Sequence, residues 1–289
     1  MIPLTITDVR SVPGDSAFLI DDGTTAVLYD TGFGFTGYAV ADNVRKVLGE
    51  RSLDYILLTH SHYDHALGSV YLRKRYPNVQ VVAGAYAQTI FQKPTARKVM
   101  GELDRKAAAS CGITEYEDLI DDLCADITVT DGDVIECGRM RFTAVDLPGH
   151  TKCSVGYYLA ENRLLLASES LGVYIGHGVY MPSFFVGYQM TLDSIRKAGE
   201  MDIDQMLLPH YGVVSGAEAR DYLANGQQTA RRTAGLILEQ LAQGKTTEEI
   251  LAYLTEALYT DQVKPAYPYA AFCMNTEIMI NLVRKELLL

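Results

Sequence analysis

Of the six histidines in this chain, five fall where a metal could be held. His60, His62 and His65 share one short run with Asp64, in the pattern H-x-H-x-D-H. His150 follows Pro148-Gly149, and His210 follows Pro209; only His177 stands apart. Neutral imidazole offers a lone pair near pH 7, which makes histidine the commonest metal ligand. Carboxylate is a second donor for many of the same cations. A chain that spends nearly all of its histidines this way is built to hold metal.

Short strands must deliver these residues. Tyr55-Ile56-Leu57-Leu58 reads as a buried strand that ends at Thr59. On an extended backbone His60 and His62 then point the same way, because side chains alternate with period two. Asp64 and His65 follow as the chain turns into a helix through Ala66, Leu67, Val70 and Tyr71. One loop thus carries two pairs of ligands, aimed at two adjacent metals. Phe142 to Val145 is another strand, ending at Leu147-Pro148-Gly149 before His150. Met206-Leu207-Leu208 is a third, ending at Pro209 before His210. Ligand sites in layered α/β folds gather at such strand ends.

These residues resemble the metallo-β-lactamase superfamily of hydrolases, whose five motifs can be followed along residues 25–212. The first matches Leu28-Tyr29-Asp30-Thr31-Gly32, the second His60, His62, Asp64 and His65, the third Pro148-Gly149-His150-Thr151, and the fifth His210. The fourth should be an aspartate after a strand; here Leu164 to Ser168 leads to Glu169 instead. The resemblance implies one metal on His60, His62 and His150, and a second on Asp64, His65 and His210. Glu169 would take the bridging carboxylate position, with a longer reach and one more rotatable bond than aspartate. Asp30 would be an acceptor that orients the histidine cluster. The implied fold is a four-layer αββα sandwich; pattern alone supports mixed α/β layering.

The expected cofactors are two divalent metal ions. Zinc is the default for an imidazole and carboxylate shell, with iron or manganese as alternatives. Two cations side by side lower the pKa of a shared water, so hydroxide exists near neutral pH and attacks a carbonyl or phosphoryl centre. Asp64 is placed to bind metal and to take the nucleophile's proton. Tyr211 and His177 are candidate substrate contacts or leaving-group acids. The expected function is a metal-dependent hydrolase acting, through a metal-bound hydroxide, on a small-molecule ester, lactone, thioester or phosphodiester. The alternative is a non-hydrolytic member that binds, signals or works as a diiron redox protein. The diiron branch tends to carry Glu where this chain has His62, and often a flavin domain.

The formal net charge of −11 over 289 residues argues against a nucleic-acid partner, which rewards basic surfaces. No apolar run reaches the length of a membrane span, and the first residues lack a signal-peptide pattern. Five cysteines without C-x-x-C spacing fit a reducing interior, so the cytoplasm is the expected location.

Residues 1–216 read as the catalytic domain. Asp21-Asp22-Gly23-Thr24 turns a hairpin between Ala17 to Ile20 and Thr25 to Tyr29. A helix is expected over about 38–48. A helical insert over about 94–125 is expected as two helices, the second through Tyr116, Leu119, Ile120 and Leu123; it is either a lid or a packing elaboration. Residues 217–289 read as a helical C-terminal extension, with Thr246 to Glu249 as a capping box and a last helix near 275–289. Between its helices, residues 259–272 are an ordinary loop, a flap over the pocket or a homodimer contact.

Overall fold

The turn at Asp22 shows how side chains shape this fold. Asp22 Oδ1 accepts from the backbone N–H groups of Thr24 and Thr25, both at 2.8 Å, and Gly23 supplies the positive φ of 86°. The strands on either side pair in register, Phe18 opposite Tyr29 and Asp21 opposite Ala26. The computed structural model describes residues 1–288. It divides into two compact units.

The first unit holds Met1–Asp146, Cys153–Ser168 and Asp204–Val214. Its first sheet follows chain order: β1 (Thr5–Asp8), β2 (Phe18–Asp21), β3 (Ala26–Tyr29), β4 (Tyr55–Leu57), β5 (Gln80–Gly84) and β6 (Ile127–Val129). The β1 to β3 pairings are antiparallel, and β3 to β6 are parallel. Parallel neighbours need crossovers. Here these are α1 (Gly37–Leu48), α2 (Tyr63–Ala66) with α3 (Gly68–Arg75), and α4 (Ala85–Phe91) with α5 (Pro94–Ser110).

Next along the chain are β7 (Val134–Cys137), β8 (Met140–Asp146), β9 (Val155–Leu159), β10 (Leu164–Leu166), the short hairpin β11 (Val173–Tyr174) and β12 (Tyr180–Met181), then β13 (Gln205–Leu208) and β14 (Gly212–Ser215). All but the hairpin form the second sheet, in the order β14-β13-β10-β9-β8-β7.

Period-two alternation decides which face each side chain joins. Phe18, Ile20, Val27, Tyr29, Leu57 and Val82 pack with Phe142, Tyr157, Leu164, Leu166 and Leu207, joining the two sheets. Their neighbours Leu19, Leu28, Ile56 and Val81 pack instead with Val40 and Val44 of α1, Leu72 of α3 and Phe91 of α4. Each fully buried side chain of this size contributes roughly 1.5–3 kcal/mol. The mixed α/β class and its helix-covered first sheet are as expected.

The insert differs in part. Its first helix is α5, but the second is reduced to one 3-10 turn, Ile120–Asp122. Gly112, at φ 77°, ends α5. Side-chain bonds then replace a helical ladder: the Tyr116 hydroxyl donates to Asp104 Oδ2 at 2.5 Å, and Asp118 Oδ1 accepts from the Ile120 N–H at 3.2 Å.

The second unit holds Leu147–Lys152, Glu169–Ile203 and the chain from Ser215 onward. It contains α6 (Tyr188–Gly199), α7 (Ala217–Ala242), α8 (Thr247–Leu258) and α9 (Tyr269–Leu287). Leu192, Ala230, Ala234, Ile237, Ile250, Leu254, Met279, Ile280 and Val283 form its core with Phe184. The helix α9 starts earlier than the expected 275, because Pro268 takes the N-cap position. Part of the 259–272 stretch is therefore helical, with the Tyr259 ring against Tyr269 and Phe272 at 5.2 and 4.9 Å. Leu289, the last residue of the expected final helix, lies outside the described residues. Among the described residues, no helix is long and apolar enough to cross a membrane.

Both halves of the expected capping box are present: Glu249 N–H donates to Thr246 Oγ1 at 3.3 Å, and Thr246 N–H donates to Glu249 Oε2 at 2.9 Å. Thr246→Ala should therefore lower unfolding free energy by about 1 kcal/mol, read from the midpoint of urea denaturation.

Candidate metal centre

Asp30 directly follows β3, in a left-handed backbone conformation with φ 52°. Its carboxylate is fully buried and fully bonded. Oδ1 accepts from the Thr59 N–H at 2.8 Å, and Oδ2 accepts from Ser16 Oγ at 3.0 Å. The Thr59 hydroxyl lies 3.1 Å from both oxygens, and His65 Nδ1 lies 2.7 Å from Oδ2. Two tautomers follow. His65 donates its Nδ1 proton to Asp30, leaving the lone pair on Nε2. Thr59 has one hydroxyl proton; once that goes to Asp30, Thr59 Oγ1 accepts from His60 Nδ1, 2.9 Å away. His60 then also presents Nε2. One buried carboxylate thus orients two imidazoles, one directly and one through threonine. A carboxylate or carbonyl behind the ring is the usual arrangement for a metal-binding histidine.

His60 and His62 follow β4 on either side of a bend at Ser61, rather than on the continuous strand expected, with ring centroids 4.5 Å apart. Asp64 and His65 sit in the first turn of α2. The His65 carbonyl is fixed by both the N–H and the hydroxyl of Thr31, at 2.8 and 2.7 Å.

At the end of β13, His210 has φ 61°. Its Nδ1 faces the Asp15 carbonyl at 3.2 Å, so that nitrogen carries the proton. The Arg10 guanidinium donates to the His210 carbonyl and is itself held by Asp8 and the Phe18 ring. These bonds hold a non-glycine residue in a conformation that L side chains disfavour.

The two imidazoles meet at their open ends. His65 Nε2 and His210 Nε2 are 3.1 Å apart, with Asp64 Oδ2 at 3.7 and 3.8 Å from them. All three donor atoms lie within 4.8 Å of one another. With both Nδ1 atoms protonated, two lone pairs and a carboxylate converge, which is repulsive unless a cation joins them. Around a tetrahedral zinc, with Zn–N about 2.0–2.1 Å, ligand atoms stand roughly 3.3 Å apart. The donor set fits a divalent metal.

The second unit brings His150 and Glu169 together. Glu169 opens a 3-10 turn, Glu169–Leu171, rather than standing on open surface. Its Oε2 is 3.0 Å from His150 Nε2, and both residues are buried. Behind the ring, His150 Nδ1 faces the Ser183 carbonyl at 3.2 Å and its hydroxyl at 2.5 Å. With its Nδ1 proton given to the Ser183 carbonyl, His150 would present an Nε2 lone pair beside the Glu169 carboxylate, as a metal ligand must. Ser170 Oγ accepts from the His150 N–H at 3.0 Å.

The two candidate substrate contacts are placed differently. Tyr211 is 37% exposed beside His210. His177 is exposed at the tip of the β11–β12 hairpin, with φ 53°. Residues missed in the sequence are the hydroxyls bonded to Asp30 and to the histidines: Ser16, Thr59, Ser170 and Ser183. Thr59 adjoins His60 and carried a local signal. Ser183 is 33 positions from His150 and carried none.

A further carboxylate, Asp104 of α5, is 1% exposed. It accepts from the Gly34 N–H at 2.9 Å and from Tyr116 at 2.5 Å. Burial pushes its pKa up to about 6, against hydrogen bonds that pull it down.

The sequence model of the metallo-beta-lactamase superfamily matches residues 12–210. A hydroxyacylglutathione hydrolase of Stenotrophomonas maltophilia (strain R551-3) is 31% identical over 153 residues, 53% of this chain and 44% of that protein. An atrochrysone carboxyl ACP thioesterase of Cryptosporiopsis sp. (strain 8999) is 23% identical over 168 residues, 58% of this chain and 41% of that protein. The chain therefore spans less than half the length of these curated relatives. Among solved structures, a metallo-beta-lactamase family protein of Thermus thermophilus superposes with a TM-score of 0.64 at 18% identity, covering 98% of this chain and 93% of that one. That likeness is one of fold.

Two outcomes are expected from this geometry. Asp30→Ala leaves the Thr59 N–H, the Ser16 hydroxyl and His65 Nδ1 without their acceptor, and should weaken zinc binding about 10–100-fold in chelator competition. For Asp104, a folded pKa of about 6 against an ordinary 3.8 means the native state binds the extra proton. Its stabilising contribution is complete below pH 3.8 and is lost as pH rises through 6. Relative to Asp104→Asn, the wild-type chain should lose stability as pH rises from 3.8 to about 6 and level off above that, measured by urea unfolding at each pH.

Proposed function

The chain belongs to the metallo-β-lactamase superfamily, and we propose that it is a dinuclear metal-dependent hydrolase of a small-molecule thioester. The observation that carries this reading is the convergence of His65 Nε2, His210 Nε2 and Asp64 Oδ2, each imidazole held from behind by an acceptor. The assignment of His60, His62 and His150 to one ion, of Asp64, His65 and His210 to another, and of Glu169 to both follows the family resemblance. It is supported within the first unit by the Asp30 network and within the second by the His150–Glu169 pair. Zinc is the favoured metal for this donor set, with iron or manganese as alternatives.

When bound, two such ions would supply Lewis acidity and a water that is acidic enough to be nucleophilic at neutral pH. The residues of the chain do the rest. Asp64 Oδ2 takes the proton released as water adds to the carbonyl carbon. Thr59 and Asp30 hold the His60 and His65 rings so that nothing must reorient during turnover. The C–S bond then breaks, yielding an acid and a thiol. A thiolate, whose conjugate acid has a pKa of about 8.5, leaves readily and needs little help from an acid. Tyr211 and His177 are then dispensable as proton donors. Thioesters are favoured over phosphodiesters by the relatives' names, a hydroxyacylglutathione hydrolase and a thioesterase, and by the net charge of −11, which disfavours polyanions. Five cysteines without C-x-x-C spacing support a reducing compartment such as the cytoplasm.

The test has two parts. Inductively coupled plasma mass spectrometry on protein purified without added metal or chelator should find about two equivalents of metal per chain. Loaded with zinc, the chain should hydrolyse S-acyl glutathione, followed by thiol release, and Asp64→Ala should lower kcat at least about 100-fold. Full thiol release by Asp64→Ala would sink the mechanism. A chain that takes up no metal after reconstitution would favour the non-hydrolytic reading.

A further inference from the structure

We propose that Tyr222 and Gly226 of α7 are positioning residues for Glu169, so that the C-terminal helices set the geometry of the bridging carboxylate. This rests on the reading of Glu169 as a metal ligand.

The turn that carries Glu169 is short, and its far end is gripped by α7. Tyr222 is 1% exposed, and its hydroxyl donates to the Gly172 carbonyl at 2.5 Å. Burial first, and then the nearby Glu169 charge, hold the Tyr222 phenol well above its ordinary pKa, so it stays a neutral donor. One helical turn later, on the same face, comes Gly226. A Cβ at Gly226 would lie 2.4 Å from the Leu171 carbonyl oxygen, so helix backbone and turn backbone touch directly. Glycine inside a 26-residue helix weakens it relative to alanine, and at Gly226 the close approach explains its presence. Gly235, in the same helix, faces open space by the same measure.

The Tyr222 ring is itself locked. It packs edge-on against Tyr174 and Tyr180 of the β11–β12 hairpin, at 6.2 and 5.5 Å. Tyr174 in turn donates to Glu218 of α7 at 2.8 Å. At the near end of the turn, Ser170 is tied to the His150 N–H. The turn is clamped at both ends. Glutamate has one more rotor to fix than aspartate, so the backbone beneath it must be held more firmly to present its oxygens at one place.

The experiment uses the full chain and Co(II) as the probe. Affinity is measured by chelator competition, and ligand geometry by visible absorption of the bound Co(II). Glu169→Gln, Tyr222→Phe, Gly226→Ala and the control Gly235→Ala are compared with the wild type. Tyr222→Phe and Gly226→Ala should each weaken Co(II) binding about tenfold or more and shift its absorption bands, as Glu169→Gln does, while Gly235→Ala matches the wild type. If Gly226→Ala does not fold, Tyr222→Phe decides. Wild-type affinity and spectrum in Tyr222→Phe, alongside loss in Glu169→Gln, would overturn the positioning role and leave Glu169 a ligand. Wild-type binding by Glu169→Gln would remove the ligand reading and this inference with it.

Discussion

A carboxylate with no exposed surface must be surrounded by donors, because an unpaired buried charge is too costly to keep. Asp30 meets that demand with Ser16, Thr59 and His65. Each partner sits on a different segment, so satisfying one charge fixes the end of β3 against the end of β4, the first turn of α2 and the approach to β2. The histidines inherit their directions from this bond set. A proton placed on Nδ1 by a backing acceptor leaves a lone pair aimed the other way, at His65, at His60 through Thr59, and at His210 through the Asp15 carbonyl.

The same rule governs the second unit on a smaller scale. His150 is backed by Ser183, and its backbone is tied to Ser170, within the turn that opens with Glu169. In both units the chemistry-bearing atom is set by what lies behind the ring. Hydroxyls do much of this work because one hydroxyl can donate on one side and accept on the other.

The histidine run was legible because the apolar stretch before His60 and the spacing of the run act within a few residues. His150 and His210 were legible for the same reason: each follows a short apolar strand and a proline. Their backing partners were not, since the Asp15 carbonyl and Ser183 reach these imidazoles only once distant segments have come together. The fold divides along the same line. The hairpin over β2 and β3, helix α1 and the Thr246 cap were all local. The spacing of Tyr116, Leu119, Ile120 and Leu123 looked helical, but Tyr116 spends its hydroxyl on Asp104 instead. The start of α9 was missed because a proline that ends one pattern also opens a helix.

His65 and His210 meet across 145 positions of sequence. Such a distant meeting carries a loop-closure cost and comes late for a chain that folds outward from local contacts. During synthesis, the run from His60 to His65 emerges first and can already sample metal, yet β13 has not been made. The cluster exists only once the chain through β13 has been made and placed. A metal held there would link the far end of the first unit to its beginning, as a non-covalent staple on the native state.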